Sequence, residues 1–160
     1  MKKLLAFAGS GFGLGYSPFA PGTVGTLLGL PIAWAINTHT GVASQILAAV
    51  VLSILAIPLC QAVEDEVKTK DPKRCVADEY LTFPICMIGL PVYGQEHGLL
   101  MMGIAFLTNR FFDIAKFWPA HGLQRLTGGL GIVIDDVFAA LYALAVNHAI
   151  FRALLHFGWI

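Results

Sequence analysis

An all-α, compact membrane-embedded bundle of about five helices, some short or broken, is the fold class this sequence predicts. Three observations predict it. Apolar residues make up 57% of the chain and charged residues 12%, about half the usual charged share, and mean hydropathy is +0.73. Apolar segments recur at about 24–36, 42–63, 80–92, 98–118 and 132–155, while strand signals are poor throughout. Lysine and arginine gather in alternate connections. With 160 residues and no repeat or low-complexity linker, residues 1–160 read as a single domain.

Taken in order, the chain opens with Met1-Lys2-Lys3 and LLAFA. That apolar stretch is shorter than the roughly 7–15 residues of a signal-peptide core, so it is not read as one. The stretch GSGFGLGYSPFAPGTVGT follows at 9–26. Its G-x-G-x-G-x-G spacing puts Leu14 where a dinucleotide fingerprint needs glycine. Pro18 and Pro21 also oppose a helix starting there. Thr23 is expected to cap the first apolar helix, with Gly22 easing the chain into it.

The second, fourth and fifth apolar segments are long enough to cross a bilayer. The first and third are shorter and contain Pro31 and Pro84, so they are expected to be tilted, broken or partly inserted. Gly128-Gly129-Leu130-Gly131 marks a break before the last helix. If all five segments cross, the connections at 64–77 and 117–131 share a side with the N-terminus. Lys2, Lys3, Lys68, Lys70, Lys73, Arg74 and Arg125 then lie on that side, with Lys116 at its edge, whereas 37–41 and 91–97 carry no Lys or Arg. Positive-inside asymmetry makes the first side cytoplasmic. A soluble bundle with an unusually apolar core is the alternative.

Composition also excludes some functions. The formal net charge is zero, so nothing indicates a nucleic-acid partner. Cys60, Cys75 and Cys86 form no C-x-x-C motif or disulfide framework. There is no G-x-S-x-G and no cysteine followed six residues on by arginine. The histidines lack metal-ligand spacing, and only His121 falls near the charged clusters. Oligomeric state is not legible.

Three ionisable clusters stand out, because such residues at the ends of membrane helices are functional by default. Asp78 and Glu79 open the third segment; Arg110, Asp113 and Lys116 share a broad face of the fourth; Asp135 and Asp136 open the fifth. All lie toward the cytoplasmic side, as does the glycine–proline stretch. Each cluster alone could serve a helix dipole or a structural ion pair. Together, Asp78, Glu79, Asp135 and Asp136 suit a hard cation such as Mg2+. Asp113 is a further ligand or orients Arg110. Arg110 and Lys116 suit a phosphate, helped by Gly22, Thr23 and the turn containing Gly129. Glu64-Asp65-Glu66 read as the solvated end of the second helix. This equipment fits phosphoryl hydrolysis by an activated water, with an aspartyl-phosphate route left open.

At this point three blocks resemble the phosphatidylglycerophosphatase A family. They are GFGLGYSPFAPGTVGTLLGLP, DPKRCVADEY and NRFFDIAKFWPAHGLQRLTGGLGIVIDDVFAA. Thr82, Phe117 and Ala140 depart from the pattern, replacing Gly, Pro and Gly, while the acidic and basic positions are kept. The resemblance implies a magnesium-dependent, multi-pass phosphatase of the bacterial inner membrane. It would convert phosphatidylglycerophosphate to phosphatidylglycerol at the cytoplasmic face. Action on another lipid or soluble phosphomonoester, and a small non-enzymatic transporter, are the alternatives.

Overall fold

The computed structural model describes residues 2–91, 97–123 and 126–160, with the backbone alone for residues 120 and 121. Among these residues the chain is helical, without strands. Lys2–Gly9 forms α1, Pro21–His39 α2, Val42–Val67 α3, Ala77–Thr82 α4, Gly98–Ala115 α5, Ala120–Leu123 α6 and Gly129–His156 α7. Short 3-10 turns occupy Leu14–Tyr16 and Phe83–Met87.

Three helices, α3, α5 and α7, are long and apolar enough to cross a membrane. Their outward faces carry the apolar load, with Ile46, Leu47, Val50, Ile54 and Leu55 exposed on α3 and Leu99, Leu107, Phe111 and Ile114 on α5. Patches of that extent are too apolar for a water-facing surface. They fit contact with lipid. Between the helices the buried positions are small: Ala33, Ala49, Ala56, Ala105, Ala140 and Ala143. Small residues let helix backbones approach when the surroundings are as apolar as the side chains.

The segment at 80–92, expected to be tilted, broken or partly inserted, takes the broken form. It is the six-residue α4 followed by a 3-10 turn over Phe83–Met87, together about 19 Å long. That falls short of the roughly 30 Å hydrocarbon layer. Instead of facing lipid, Phe83, Pro84, Ile85, Cys86 and Met87 are all buried. Irregular backbone in an apolar layer needs side-chain partners, and the neighbouring helices supply them. Asn37 and Asn147 donate side-chain amide hydrogens to the carbonyls of Met87 and Cys86, at 2.8 and 2.9 Å. Gly89 N–H donates to Gln45 Oε1 at 2.8 Å, and His148 Nε2 lies 2.9 Å from Ile88 O. Thr108 Oγ1 in turn donates to Asn147 Oδ1 at 2.7 Å.

Two helix starts differ from expectation. Thr23 does not cap α2, which begins at Pro21 with Ala20 as N-cap and no side-chain cap bond. Proline suits a first helical position because its missing N–H has no partner there anyway. Asp135 and Asp136 do not open α7, which starts at Gly129 and has no acid in its first turn. They sit more than one turn inside and are buried, so a helix dipole does not explain them.

The glycine stretch explains itself by contact. Gly9 O accepts from Val76 N–H at 3.0 Å, and Tyr80 Oη donates to Ala8 O at 3.0 Å. A Cβ on Gly15 would run into the Arg74 carbonyl. The glycines let this loop lie against residues 74–76, immediately ahead of α4.

Candidate active site

One end of the bundle holds a cleft of about 710 Å3. It is lined by the 15–22 loop, residues 71–75, the start of α4, the end of α5 and the second turn of α7. Six carboxylates line it (Asp71, Asp78, Glu79, Asp113, Asp135, Asp136) along with four cations (Lys73, Arg74, Arg110, Lys116). The three clusters separated in sequence thus meet at one depth.

Arg110 and Lys116 each hold a carboxylate. Arg110 Nη1 lies 2.7 Å from Asp113 Oδ2, on the same helix, and 3.8 Å from Glu79 Oε1. The same nitrogen donates to Thr26 Oγ1 at 3.3 Å, and Thr26 donates onward to Gly22 O at 3.0 Å. Lys116 Nζ donates to Asp135 Oδ2 at 2.7 Å. Lys116 ends α5 in a left-handed conformation, φ 45°, which costs an L-residue about 1–2 kcal/mol.

Burial acts on these groups electrostatically. Loss of water pushes the Asp78 carboxyl well above the ordinary carboxylate range, and the negative potential from Cys75, Asp71, Asp135 and Asp113 adds to it. Glu79 is raised in the same way, first by burial and then by Asp78, against the opposing pull of Arg110. For Lys116, burial pulls downward, but the hydrogen bond and charge of Asp135, with Asp113 and Asp136, leave the ammonium raised.

The donor set fits a hard divalent cation. Carboxylates outnumber cations in the cleft, and Asp78 Oδ1 and Glu79 Oε2 are buried with no hydrogen-bond partner among the described residues. Buried polar oxygens are normally satisfied, and oxygen ligands are what Mg2+ takes. The Arg110 Nε is buried without a partner as well, a donor open to an anion.

The remaining expected site residues divide. Gly22 lines the cleft, and a Cβ there would collide with the Glu79 carboxylate. Thr23 is not among the lining residues. Gly129 is turned away from the cleft: its N–H donates to Gln61 Oε1 at 2.9 Å, and a Cβ would strike the Ile57 carbonyl. The His121 side chain and Arg125 lie outside the described residues. Asp71, Thr26, Lys73 and Arg74 were not expected in the site. Asp71 begins the DPKRCVADEY block, and that position was its only signal. Nothing in the sequence marks Thr26.

The three pattern departures are accommodated. Thr82 is buried and its Oγ1 donates to Asp78 O at 2.6 Å, bracing the acidic turn. Phe117 packs against Phe111, Phe112 and Tyr142. Ala140 is fully buried in the core cluster containing Phe83 and Ala105.

Comparison with known proteins supplies the remaining finding. The family model for phosphatidylglycerophosphatase A matches residues 7–151. A Haemophilus influenzae protein named phosphatidylglycerophosphatase A is 34% identical over 141 residues, covering 88% of this chain and 84% of that protein. The Escherichia coli protein of the same name is 28% identical, over 88% of this chain and 79% of its own. A Bacteroides thetaiotaomicron protein carrying a provisional phosphatidylinositol-3-phosphatase name is 33% identical, over 84% of this chain and 86% of its own. No solved structure matches the chain significantly.

Proposed function

This chain belongs to the phosphatidylglycerophosphatase A family, and from that premise we propose that its cleft is the active site of a magnesium-dependent lipid phosphatase. The reaction hydrolyses phosphatidylglycerophosphate to phosphatidylglycerol and phosphate, at the cytoplasmic face of a bacterial inner membrane. The observation that carries this reading is the convergence of six carboxylates and four cations, with partnerless buried carboxylate oxygens, at one end of an apolar bundle.

Asp78, Glu79, Asp135 and Asp136 would hold Mg2+. Bound there, the ion would supply charge compensation for the phosphoryl oxygens and activation of water. Arg110 grips the phosphate through the guanidinium edge that Asp113 and Thr26 leave free, with Asp113 fixing its orientation. Lys116, a point charge beside Asp135, neutralises a second phosphate oxygen. A carboxylate of this set would accept the proton of the attacking water. Gly22, lacking a Cβ, lets the Glu79 carboxylate and the Arg110 guanidinium lie against the start of α2. The exposed Phe19, Phe117 and Trp118 near the cleft place apolar and aromatic surface where acyl chains and the membrane interface meet.

The test is phosphate release in detergent from phosphatidylglycerophosphate, phosphatidic acid, phosphatidylinositol 3-phosphate and a soluble phosphomonoester, with and without Mg2+. Magnesium-dependent turnover greatest on the first substrate is expected. Equal rates on all four would remove the substrate assignment, and no release from any would remove the activity. The inositol lipid is included because of the Bacteroides relative.

A further inference from the structure

Beneath the cleft, two thiols meet an acid of the site. The Sγ atoms of Cys60, on α3, and Cys75, three residues before Asp78, lie with an Asp78 carboxylate oxygen within 4.8 Å of one another. All three residues are buried. Cys75 and Asp78 line the cleft, and Cys60 lies behind them with no exposure. The cleft is therefore a route in from solvent to Cys75 and Asp78, with Cys60 one layer behind them.

Ligand atoms around a tetrahedral ion with bonds of about 2.0–2.3 Å lie roughly 3.5 Å apart, so small side-chain rotations would close this trio on a metal. Asp78 Oδ1 needs a partner, being buried without one among the described residues. Two sulfurs and one oxygen do not suit magnesium. Thiolate ligands select soft or borderline ions, and three protein ligands leave a fourth position open for water or a phosphate oxygen.

We propose that Cys60, Cys75 and Asp78 form a second cation site, for a thiophilic divalent ion of the zinc–cadmium class. Binding forms two metal–thiolate bonds and one metal–carboxylate bond, and releases to solvent the two thiol protons together with the Asp78 proton wherever that carboxyl is protonated. Because Asp78 belongs to both donor sets, a thiophilic ion here removes a carboxylate from the magnesium set and stops hydrolysis. That inhibitory consequence rests on the proposed function; the binding does not.

The probe is Cd2+ alone, titrated into the purified full chain in detergent and followed by the ultraviolet thiolate-to-cadmium charge-transfer band. One ion per chain is expected, with release of two thiol protons and a third from Asp78 at pH values where its carboxyl is protonated. Cys60→Ser and Cys75→Ser should each lose the band, and Cys86→Ser should keep it. Circular dichroism on the variants, with Cys60→Ala as the alternative should Cys60→Ser not fold, separates lost ligation from lost structure. Absence of the band in the parent chain, or its persistence in a folded Cys60 variant, overturns the proposal. In the activity assay Cd2+ should inhibit the parent enzyme, with affinity weaker by about tenfold or more in the Cys60 variant, whose rate with Mg2+ alone is unchanged. Inhibition equal in both would overturn the shared-ligand consequence. If no phosphatase activity exists, the absorbance result still decides whether the ion binds.

Discussion

Arg110 Nη1 stands 2.7 Å from Asp113 Oδ2, one helical turn away on α5. With both side chains only about 15% exposed, the pair is shielded and directional, unlike a surface bridge. Arg110→Lys should therefore fail to substitute, because a point charge cannot keep Asp113, Thr26 and a phosphate in one plane. The expected loss in kcat/KM is on the order of 10²–10³-fold. Asp113→Asn should fall in the same direction with a smaller loss. A fully active Arg110→Lys enzyme would remove the phosphate role.

Lys116 separates conformation from charge. Its backbone is left-handed, so glycine should tolerate the position better than alanine. Lys116→Gly and Lys116→Ala should both lose activity, since each removes the ammonium beside Asp135. In thermal unfolding the glycine variant should be the more stable of the two, by about 1 kcal/mol. Equal stabilities would mean that the conformation carries no strain.

Gly22→Ala tests the close approach of α2 to the acids. The added methyl meets Glu79 directly and comes to 3.1 Å from Arg110 Nη2, so both must move. Displacement of reacting groups by about 1 Å can cost on the order of 10²-fold in rate. We expect such a loss with a much smaller change in unfolding temperature. Normal activity would show that this approach does not set the positions of Glu79 and Arg110 for the reaction.

The buried acids predict a pH dependence for the metal-free protein. Asp78 and Glu79 are raised in the folded state, so the fold holds protons that the unfolded chain has released. Their stabilising contribution is complete below the unfolded carboxylate value of about 4 and is lost as pH rises above it. The unfolding temperature without divalent ions should decline across that window. Adding Mg2+ at neutral pH should raise it, because the ion binds the folded carboxylate set. A metal-free unfolding temperature that climbs with pH would contradict this.

At the opposite end of the bundle, Asn147→Leu should cost stability and spare chemistry. It leaves the Cys86 carbonyl without its donor at 2.9 Å, while the Thr108 hydroxyl falls back on the Ile104 and Ala105 carbonyls of its own helix. A buried unsatisfied group costs about 1–3 kcal/mol. Lower unfolding temperature with normal kcat on surviving enzyme is the expected pairing. A variant that is stable but inactive would tie this network to the site.

Periodicity and charge made much of the architecture readable. Apolar runs located α3, α5 and α7, and isolated charges in a charge-poor chain located Asp78, Arg110, Asp113, Lys116 and Asp135. What escaped was set by tertiary contact. Thr26 is one of many small helical residues until Arg110 reaches it from another helix. Asp71 reads as a loop acid until the glycine stretch presses its neighbours toward α4. Gly129 reads as a phosphate loop by composition, yet its closeness to Ile57 serves helix packing. The short third segment gives no local sign that Asn37, Gln45, Asn147 and His148, distant in sequence, satisfy its backbone.

That broken segment has a consequence for traffic. That segment is buried inside the bundle, and the six carboxylates of the cleft lie at one end of it, so the proposed site opens to one side of the bundle rather than along a path through it. On the proposed function, a two-tailed substrate would enter sideways from the leaflet on the side of the cleft, and the dephosphorylated lipid would return to that same leaflet. Such a reaction would leave the distribution of lipid between the two leaflets unchanged.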